Sequence, residues 1–301
     1  MHTIKRGLTS LFVCLVVLVP LILSVYQWGS LLGLKVPTGD PRKATALQSM
    51  SVRPIDKTDE AVKPFEQPLI TLTFDDGWET IYTDAAPLLQ KYGLVSTQYV
   101  LSGLDKDQQY MTFEQMKALH AAGHEIGCHS VDHANLTQIS HDKLMTELNG
   151  CKTTLEKQLG LRIDEFASPF GASNQQSIDA IKQVFRSHRN TNGDITTNQV
   201  DDQDVNTRQT YSRYNIIAVT IRRDTTIEQL QAAIDYTVKN NGWLVLNYHQ
   251  VDNSASDFGV DKYDLEQQLQ VLNKAKARVV PMGPVLDVIE PQTVRGAKAR
   301  N

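Results

Sequence analysis

The stretch LITLTFDDG, from Leu69 to Gly77, decides how the chain folds and where its chemistry lies. The run up to Phe74 is uncharged, apolar and β-branched, which predicts a buried β-strand. Two adjacent carboxylates, Asp75 and Asp76, follow it directly, and Gly77 comes next. Neighbouring carboxylates repel each other and gain little at the end of a buried strand. We therefore expect either a positive charge that offsets the two carboxylates or a chemical role for them.

Short apolar runs alternate with amphipathic stretches from Leu69 to Met282. The amphipathic stretches have about a dozen residues each, which predicts helices, and one of them begins with a capping box formed by Thr112 and Gln115. Strands alternating with such helices predict an α/β fold with a parallel sheet. About seven or eight strand–helix units favour a barrel-like closure over a small open sheet.

The N-terminus predicts a membrane anchor. Lys5 and Arg6 precede an uncharged, mostly apolar run from Gly7 to Leu34, which exceeds the roughly 20 residues needed to cross a bilayer. Because the positive charges come first, we expect one signal-anchor transmembrane helix in 1–34, with the rest of the chain outside the cytoplasm. The protein would then be a single-pass protein of the cell membrane, with the lipid bilayer as a partner. A cleaved signal peptide is the alternative.

Composition and hydrophobic pattern divide residues 35–301 into three segments. Residues 35–68 are polar and rich in proline, which predicts a linker; residues 69–290 form the predicted catalytic domain, and residues 291–301 a polar tail. The net charge of −4 over 301 residues gives no reason to expect a nucleic-acid partner. Three cysteines are too few for a disulfide scaffold. Cys128 and Cys151 could pair only if the fold brought them together, and the strand position of Cys128 favours a free, buried thiol.

Polar residues collect where the predicted strands end, which is where parallel barrels place their chemistry. The first strand ends at the two aspartates, and the strand HEIGCH ends at His129, with His133 four residues later. Another strand ends in the turn SPFG, from Ser168 to Gly171, and the strand WLVLNY is followed by His249.

The two histidines of HSVDH have the spacing of metal ligands. If the chain turns helically after the strand, the rings of His129 and His133 point to the same side. Two imidazoles and one carboxylate are a common ligand set for catalytic Zn²⁺. An isolated pair with this spacing is more often two surface or capped histidines, but the aspartates shift the balance to a metal site.

The two aspartates can then take different roles. One can bind the cation, and the other can act as a general base that takes a proton from the attacking water. His249 suits a general acid that protonates a leaving group, although a histidine at such a place can also be a hydrogen-bonded core residue.

Four motifs in this order resemble those of the polysaccharide deacetylases, the carbohydrate esterase family 4 enzymes that share the NodB homology domain. They are TFDDG (Thr73–Gly77), HSVDH (His129–His133), SPFG (Ser168–Gly171) and LNYH (Leu246–His249). The resemblance extends over roughly 69–289 and is closest to the branch with an FAxPFG-type third motif. It implies a NodB-like distorted (β/α) barrel with about seven strands.

The resemblance also implies roles by position. Asp75 matches the catalytic base and His249 the general acid. The metal ligands match Asp76, His129 and His133, and the metal is expected to be zinc, with cobalt or nickel as alternatives. The backbone N–H of Phe170 matches a group that holds the oxyanion.

Three departures from the family pattern bear on the site. Ala167 stands where the third motif commonly has the arginine that orients the base, and we expect Arg213, in YSRYN, to supply that cation. The fourth motif, D-x-x-W, is not recognisable, which leaves the partner of His249 unassigned. Trp78 stands where many members have proline, and it is either a platform for substrate stacking or part of the wall.

The sequence thus predicts a membrane-anchored, extracytoplasmic, metal-dependent deacetylase. We expect it to remove N-acetyl groups from an acetylated polysaccharide such as peptidoglycan, poly-N-acetylglucosamine or a chitin-like polymer. The alternatives are a catalytically inactive glycan-binding module of the same fold and a deacylase that acts on a non-sugar amide.

Overall fold

The computed structural model describes residues 61–104, 107–252, 254 and 256–289. The predicted anchor at 1–34, the tail at 291–301 and most of the linker at 35–68 lie outside these residues. Within the described part of the chain, no helix has the length and apolar character needed to cross a bilayer.

The described residues form a curled sheet in which every strand pair is parallel, as the strand–helix alternation predicts. Strand β1 lies at the centre, between β2 and β7, and the full order is β5-β4-β3-β2-β1-β7-β6. A short strand, β8, pairs with the start of β1. The strands are β1 (Leu69–Phe74), β2 (Ser96–Val100), β3 (Glu125–Cys128), β4 (Glu165–Ala167), β5 (Ser187–Arg189), β6 (Val219–Thr220), β7 (Trp243–Tyr248) and β8 (Arg278–Val279).

Isolated parallel bridges join the two ends of this sheet. Arg189, at the end of β5, pairs with Ile216, and Gly193 pairs with Val219 of β6. Because residues beside both edges of the sheet take part, the sheet curls into a half-barrel. The predicted parallel α/β fold of about seven strands is therefore confirmed for the described residues, as a curled half-barrel.

Helices follow most of the strands and cover the outside of the sheet. A π-helical turn, Ile81–Ala85, leads into the first of them. The helix that begins at Phe113 carries the predicted capping box between Thr112 and Gln115. The helices are α1 (Ala86–Lys91), α2 (Phe113–Ala121), α3 (His141–Leu159), α4 (Gln175–Val184), α5 (Ile227–Asn240), α6 (Lys262–Lys274) and α7 (Met282–Ile289).

Strand β1 is buried along its whole length, which explains its apolar composition. Ile70, Leu72 and Phe74 belong to a core cluster shared with apolar residues of the helices. Thr71 accepts a hydrogen bond from the Trp243 indole at 2.9 Å, so its buried hydroxyl group is satisfied. A rigid central strand of this kind holds the two aspartates that follow it.

A disulfide joins Cys128, the last residue of β3, to Cys151 in α3, with their Cα atoms 6.2 Å apart. The expectation of a free thiol at Cys128 is therefore wrong. Cys128 is buried as predicted, but α3 packs against β3 closely enough to bring the second cysteine to it. The bond ties α3 to the residue immediately before His129.

Candidate active site

The carboxyl ends of the strands bring the predicted residues together at one edge of the barrel. Asp75 and Asp76 follow β1, and His129 follows β3. Two of the predicted ligands, His129 and His133, lie with their ring centroids 5.2 Å apart.

Strand β1 ends in a left-handed turn that redirects the second aspartate. Asp76 has a φ of 70° and Gly77 a φ of 82°, a conformation that aspartate tolerates better than most residues. In a continuing strand, neighbouring side chains would point to opposite faces. The turn instead lets both carboxylates approach His129, with its Nε2 3.9 Å from Asp75 Oδ2 and 3.5 Å from Asp76 Oδ1.

Asp76, His129 and His133 form a cluster that could hold a metal ion. One ligand atom from each lies within 4.8 Å of the other two. Asp76 Oδ1 is 3.3 Å from His133 Nε2. These are the three residues that the resemblance assigned to the metal.

The orientation of the His129 ring is suited to binding a metal ion. Its Nδ1 lies 2.9 Å from the carbonyl oxygen of Ala167, to which an Nδ1–H donates. This bond assigns the proton to Nδ1 and leaves the lone pair of Nε2 facing Asp76. Burial lowers the pKa of His129, against the opposing effect of the two aspartates, which favours the neutral ring that binds metals.

His133 reaches the cluster without the expected helical turn. Ser130 and His133 both have left-handed φ angles, 75° and 64°, and the His133 N–H donates to Ser130 Oγ at 3.0 Å. The chain therefore makes no helical turn here, and yet the two rings face one site. A tight, irregular loop brings them together.

Helix α3 holds this loop in place through Glu147, which is fully buried. Its carboxylate accepts hydrogen bonds from the N–H groups of Val131 and Asp132 at 2.9 and 3.3 Å, and Lys143 pairs with it at 2.5 Å. The sequence does not reveal this role of Glu147, because a glutamate in an amphipathic helix normally indicates an exposed face.

A divalent cation fits the donor set of this cluster. Asp76 Oδ1 is buried and has no hydrogen-bond donor among the described residues, so a cation would satisfy it. Burial alone would raise the pKa of Asp76, but the nearby imidazoles of His133, His129 and His249 outweigh burial and hold that pKa well below its usual range. A permanently ionised carboxylate beside two imidazoles is suited to zinc and similar metals.

Trp78 supports the metal cluster rather than lying apart from it. Its indole N–H donates to Asp76 Oδ2 at 2.9 Å, and its ring stacks on Tyr110 with centroids 4.8 Å apart. The hydrogen bond holds one carboxylate oxygen, so the other faces the histidines. Of the two interpretations of Trp78, the contacts favour a wall residue with a positioning role.

Asp75 forms a buried ion pair with Arg189, whose guanidinium donates to Asp75 Oδ1. Both side chains are almost completely inaccessible, at 3% and 0% exposure. The guanidinium also lies over the Tyr99 ring, with its central carbon 5.0 Å from the centroid. Asp75 is therefore held in one orientation by a cation that cannot move away.

Arg189, and not Arg213, is the cation bound to Asp75. Arg189 is the register partner of Ala167 across β4 and β5, so the arginine lies one strand away from the position where the family motif commonly has it. Arg213 has its guanidinium 5.9 Å from the Tyr214 ring. Its assignment failed because strand register, which local sequence does not reveal, decides which arginine faces Asp75.

The SPFG turn brings Phe170 against the metal cluster. Phe170 has a φ of 61°, and its ring meets the His133 ring edge-on at 4.4 Å. The ring is 65% exposed, so it forms part of the rim of the site. Gly171, with a φ of 62°, lies so close to Thr191 that a side chain would overlap it.

His249 lies at the end of β7, on the side of the site next to Phe258. The two rings are 5.2 Å apart. Its Nδ1 is buried and has no hydrogen-bond partner within the described part of the chain. The family's usual partner for this histidine, which the sequence does not reveal, thus has no counterpart among these residues.

Comparison with known proteins gives the same family as the motifs. Residues 62–185 match the family model described as polysaccharide deacetylase. A poly-β-1,6-N-acetyl-D-glucosamine N-deacetylase from Staphylococcus aureus is 26% identical over 134 residues, which are 40% of this chain and 46% of that protein. The chain spans about half the length of the curated relatives it matches, at 48% and 46%.

Solved structures share the fold at low sequence identity. A structure described as T48 deacetylase with substrate has a TM-score of 0.54 and 17% identity, covering 76% of this chain and 95% of that one. A family 4 pseudoenzyme from Bacillus anthracis has a TM-score of 0.53 and 17% identity, covering 75% of this chain and 70% of the other. The fold alone thus occurs with and without activity.

Proposed function

We propose that this chain, whose residues 62–185 match the polysaccharide deacetylase family model, hydrolyses the N-acetyl groups of an acetylated polysaccharide. The observation that carries the proposal is the joint presence of a metal-competent cluster and a buried Asp75–Arg189 pair beside it. A protein that only bound glycans would need neither group.

The proposed metal ligands are Asp76, His129 and His133. A divalent cation held there would polarise the acetyl carbonyl and make water a better nucleophile at neutral pH. Zinc suits this donor set, and cobalt and nickel are alternatives.

Asp75 is the proposed general base. Its Oδ2 lies 3.9 Å from His129 Nε2, so it faces the cluster, while Arg189 holds Oδ1. In this arrangement one carboxylate oxygen is free to take the proton of the attacking water, and the other stays fixed. General base catalysis of this kind contributes about 10²–10⁴-fold.

His249 is the proposed general acid. It would donate a proton to the nitrogen of the departing amino sugar as the bond between that nitrogen and the acetyl carbon breaks. The products are acetate and a free amine. The backbone N–H of Phe170, in the turn beside His133, would stabilise the oxyanion that forms on the acetyl group.

The proposed substrate is a cell-envelope or extracellular polymer of N-acetylated amino sugars. The S. aureus relative is named for poly-β-1,6-N-acetyl-D-glucosamine, which puts that polymer first, ahead of peptidoglycan and chitin-like chains. Anchoring through residues 1–34, with the domain facing outward, is part of the proposal, because it would place the site where such polymers are found.

The experiment is an assay of acetate release by the full chain. The purified protein, loaded with zinc or cobalt, is incubated with oligomers of β-1,6- and β-1,4-linked N-acetylglucosamine and with peptidoglycan. Asp75→Asn and His249→Ala should each lose most of the activity. A normal rate in either variant would contradict its role, and glycan binding without any acetate release would favour an inactive binding module.

A further inference from the structure

A buried histidine–serine pair lies directly behind the SPFG turn. His188, in β5, has its Nε2 2.8 Å from the hydroxyl oxygen of Ser168, the first residue of the turn. Both residues are fully buried, and His188 belongs to none of the four sequence motifs. Polar groups are costly to bury unless they bond each other, so this pair indicates that the place of Ser168 is closely controlled.

The second ring nitrogen of His188 fixes the direction of these hydrogen bonds. Its Nδ1 lies 3.0 Å from the backbone carbonyl oxygen of Tyr214. Because a carbonyl oxygen can only accept, Nδ1 carries the proton and donates. Nε2 then holds a lone pair and accepts the hydroxyl hydrogen of Ser168. Burial lowers the pKa of His188 to about 4, so the ring keeps this neutral form around neutral pH.

The turn that begins at Ser168 has a backbone that needs support. Phe170 and Gly171 have φ angles of 61° and 62°, and the left-handed conformation is unfavourable for a residue with a side chain such as Phe170. The Gly171 N–H donates to the carbonyl oxygen of Ser168 at 3.0 Å, and the Ala172 N–H donates to that of Pro169 at 3.1 Å. The shape of the turn therefore depends on where its first two residues are held.

Strand β5 and the residues after it contact both ends of this turn. His188 holds the end at Ser168. At the other end, Thr191 lies so close to Gly171 that a side chain there would overlap it. Arg189, the neighbour of His188 in β5, points to the opposite face of the strand and binds the proposed general base. One strand thus orients both the base and the turn that carries the proposed oxyanion donor.

We propose that His188 is a positioning residue for the oxyanion: by holding the Ser168 hydroxyl, it fixes the turn so that the backbone N–H of Phe170 faces the place where negative charge develops. This inference rests on the proposed function, since that charge forms only if an acetyl group is cleaved. An oxyanion donor acts mainly in the transition state, so a displaced turn lowers kcat and leaves KM and zinc affinity nearly unchanged.

Two substitutions of His188 separate its two hydrogen bonds. Glutamine places its side-chain oxygen near the position of Nε2, where it can still accept from Ser168. Asparagine reaches only the position of Nδ1, where it can still donate to Tyr214. Ser168→Ala is a third variant, which removes the hydroxyl and leaves the histidine in place.

A second buried pair of the same kind provides the matched control. His124 has its Nδ1 2.8 Å from the hydroxyl oxygen of Ser96, and the two residues are 3% and 0% exposed. Ser96 is the first residue of β2, so this pair lies at the amino ends of the strands, away from the candidate site. Ser96→Ala therefore removes a comparable buried hydrogen bond without touching the turn.

The test is the kinetics of acetate release by the zinc-loaded full chain from β-1,6-linked N-acetylglucosamine oligomers. His188→Asn and Ser168→Ala should each lower kcat about 10- to 100-fold, less than the roughly 10²–10³-fold cost of removing an oxyanion donor outright. KM and zinc affinity should stay within about twofold of the wild type. His188→Gln should keep most of kcat, and Ser96→Ala should keep all of it. Equal losses in His188→Gln and His188→Asn, a wild-type kcat in Ser168→Ala, or a parallel loss of zinc affinity would overturn the inference.

Hydrogen exchange separates this inference from the proposed function. If the wild type releases no acetate from any oligomer, the proposed function fails, and amide exchange of residues 168–172 in the full chain still tests the hold on the turn. The N–H groups of Gly171 and Ala172, which are bonded within the turn, should exchange faster in His188→Asn and Ser168→Ala than in the wild type and His188→Gln. Equal exchange in all four proteins would refute the role of His188.

Discussion

Replacement of Arg189 by glutamine should destabilise the fold as well as the site. Arg189 and Asp75 are 0% and 3% exposed, so water cannot replace the lost partner. Breaking a buried ion pair from one side costs about 3–5 kcal/mol, because the other charge stays buried and uncompensated. At about 1.4 kcal/mol per tenfold, the folded-to-unfolded ratio should fall by roughly a hundredfold to a few thousandfold.

The assay is guanidinium unfolding of the full chain for the wild type, Arg189→Gln, Asp75→Asn and the double variant. In the double variant no charge is left without its partner. We therefore expect it to lose clearly less free energy of unfolding than the sum of the two single losses. If the losses simply added, within about 0.5 kcal/mol, the two groups would not interact, and Arg189 would not be the residue that orients Asp75.

Three further predictions follow from contacts elsewhere in the structure. Trp78→Phe keeps an aromatic ring but removes the indole N–H that donates to Asp76, and zinc titration should show roughly 10–100-fold weaker binding. Burial lowers the pKa of His124 from 6.5 to about 4. Between these two pH values only the unfolded chain takes up a proton at this histidine. The free energy of unfolding should therefore fall as the pH drops from 6.5 to 4, by about 3 kcal/mol in all. Guanidinium midpoints at pH 7.5 and 4.5 should differ less in His124→Asn than in the wild type, and an equal difference would refute this origin. Replacing both Cys128 and Cys151 by alanine should lower the free energy of unfolding by about 3 kcal/mol, as expected for a disulfide with a sequence separation of 23. An unchanged guanidinium midpoint would mean that the disulfide does not stabilise the fold.

Much of the fold could be predicted because its signals are local. The uncharged run of β1, the capping box at Thr112 and Gln115, and the alternation of strands and helices all depend on residues close together in the sequence. The parallel sheet follows from that alternation. The positions of Asp75, Asp76 and His129 follow in turn, because the carboxyl ends of parallel strands meet at one edge.

The interactions that complete the site could not be predicted, because they depend on long-range packing. Arg189 faces Asp75 only through the register of β4 and β5, and Glu147 reaches the histidine loop only because α3 packs beneath it. The disulfide was misjudged for the same reason. The path of the chain to His133 could not be predicted, because histidine spacing does not distinguish a helical turn from a loop with left-handed residues.

The most direct test of the account compares two neighbouring variants, Asp75→Asn and Asp76→Ala, for bound zinc and for acetate release from β-1,6-linked N-acetylglucosamine oligomers. We predict that Asp75→Asn keeps its zinc and loses most of its activity, whereas Asp76→Ala loses both. If Asp75→Asn released acetate at the wild-type rate, or if Asp76→Ala kept its zinc, the division of roles between the two aspartates would be contradicted.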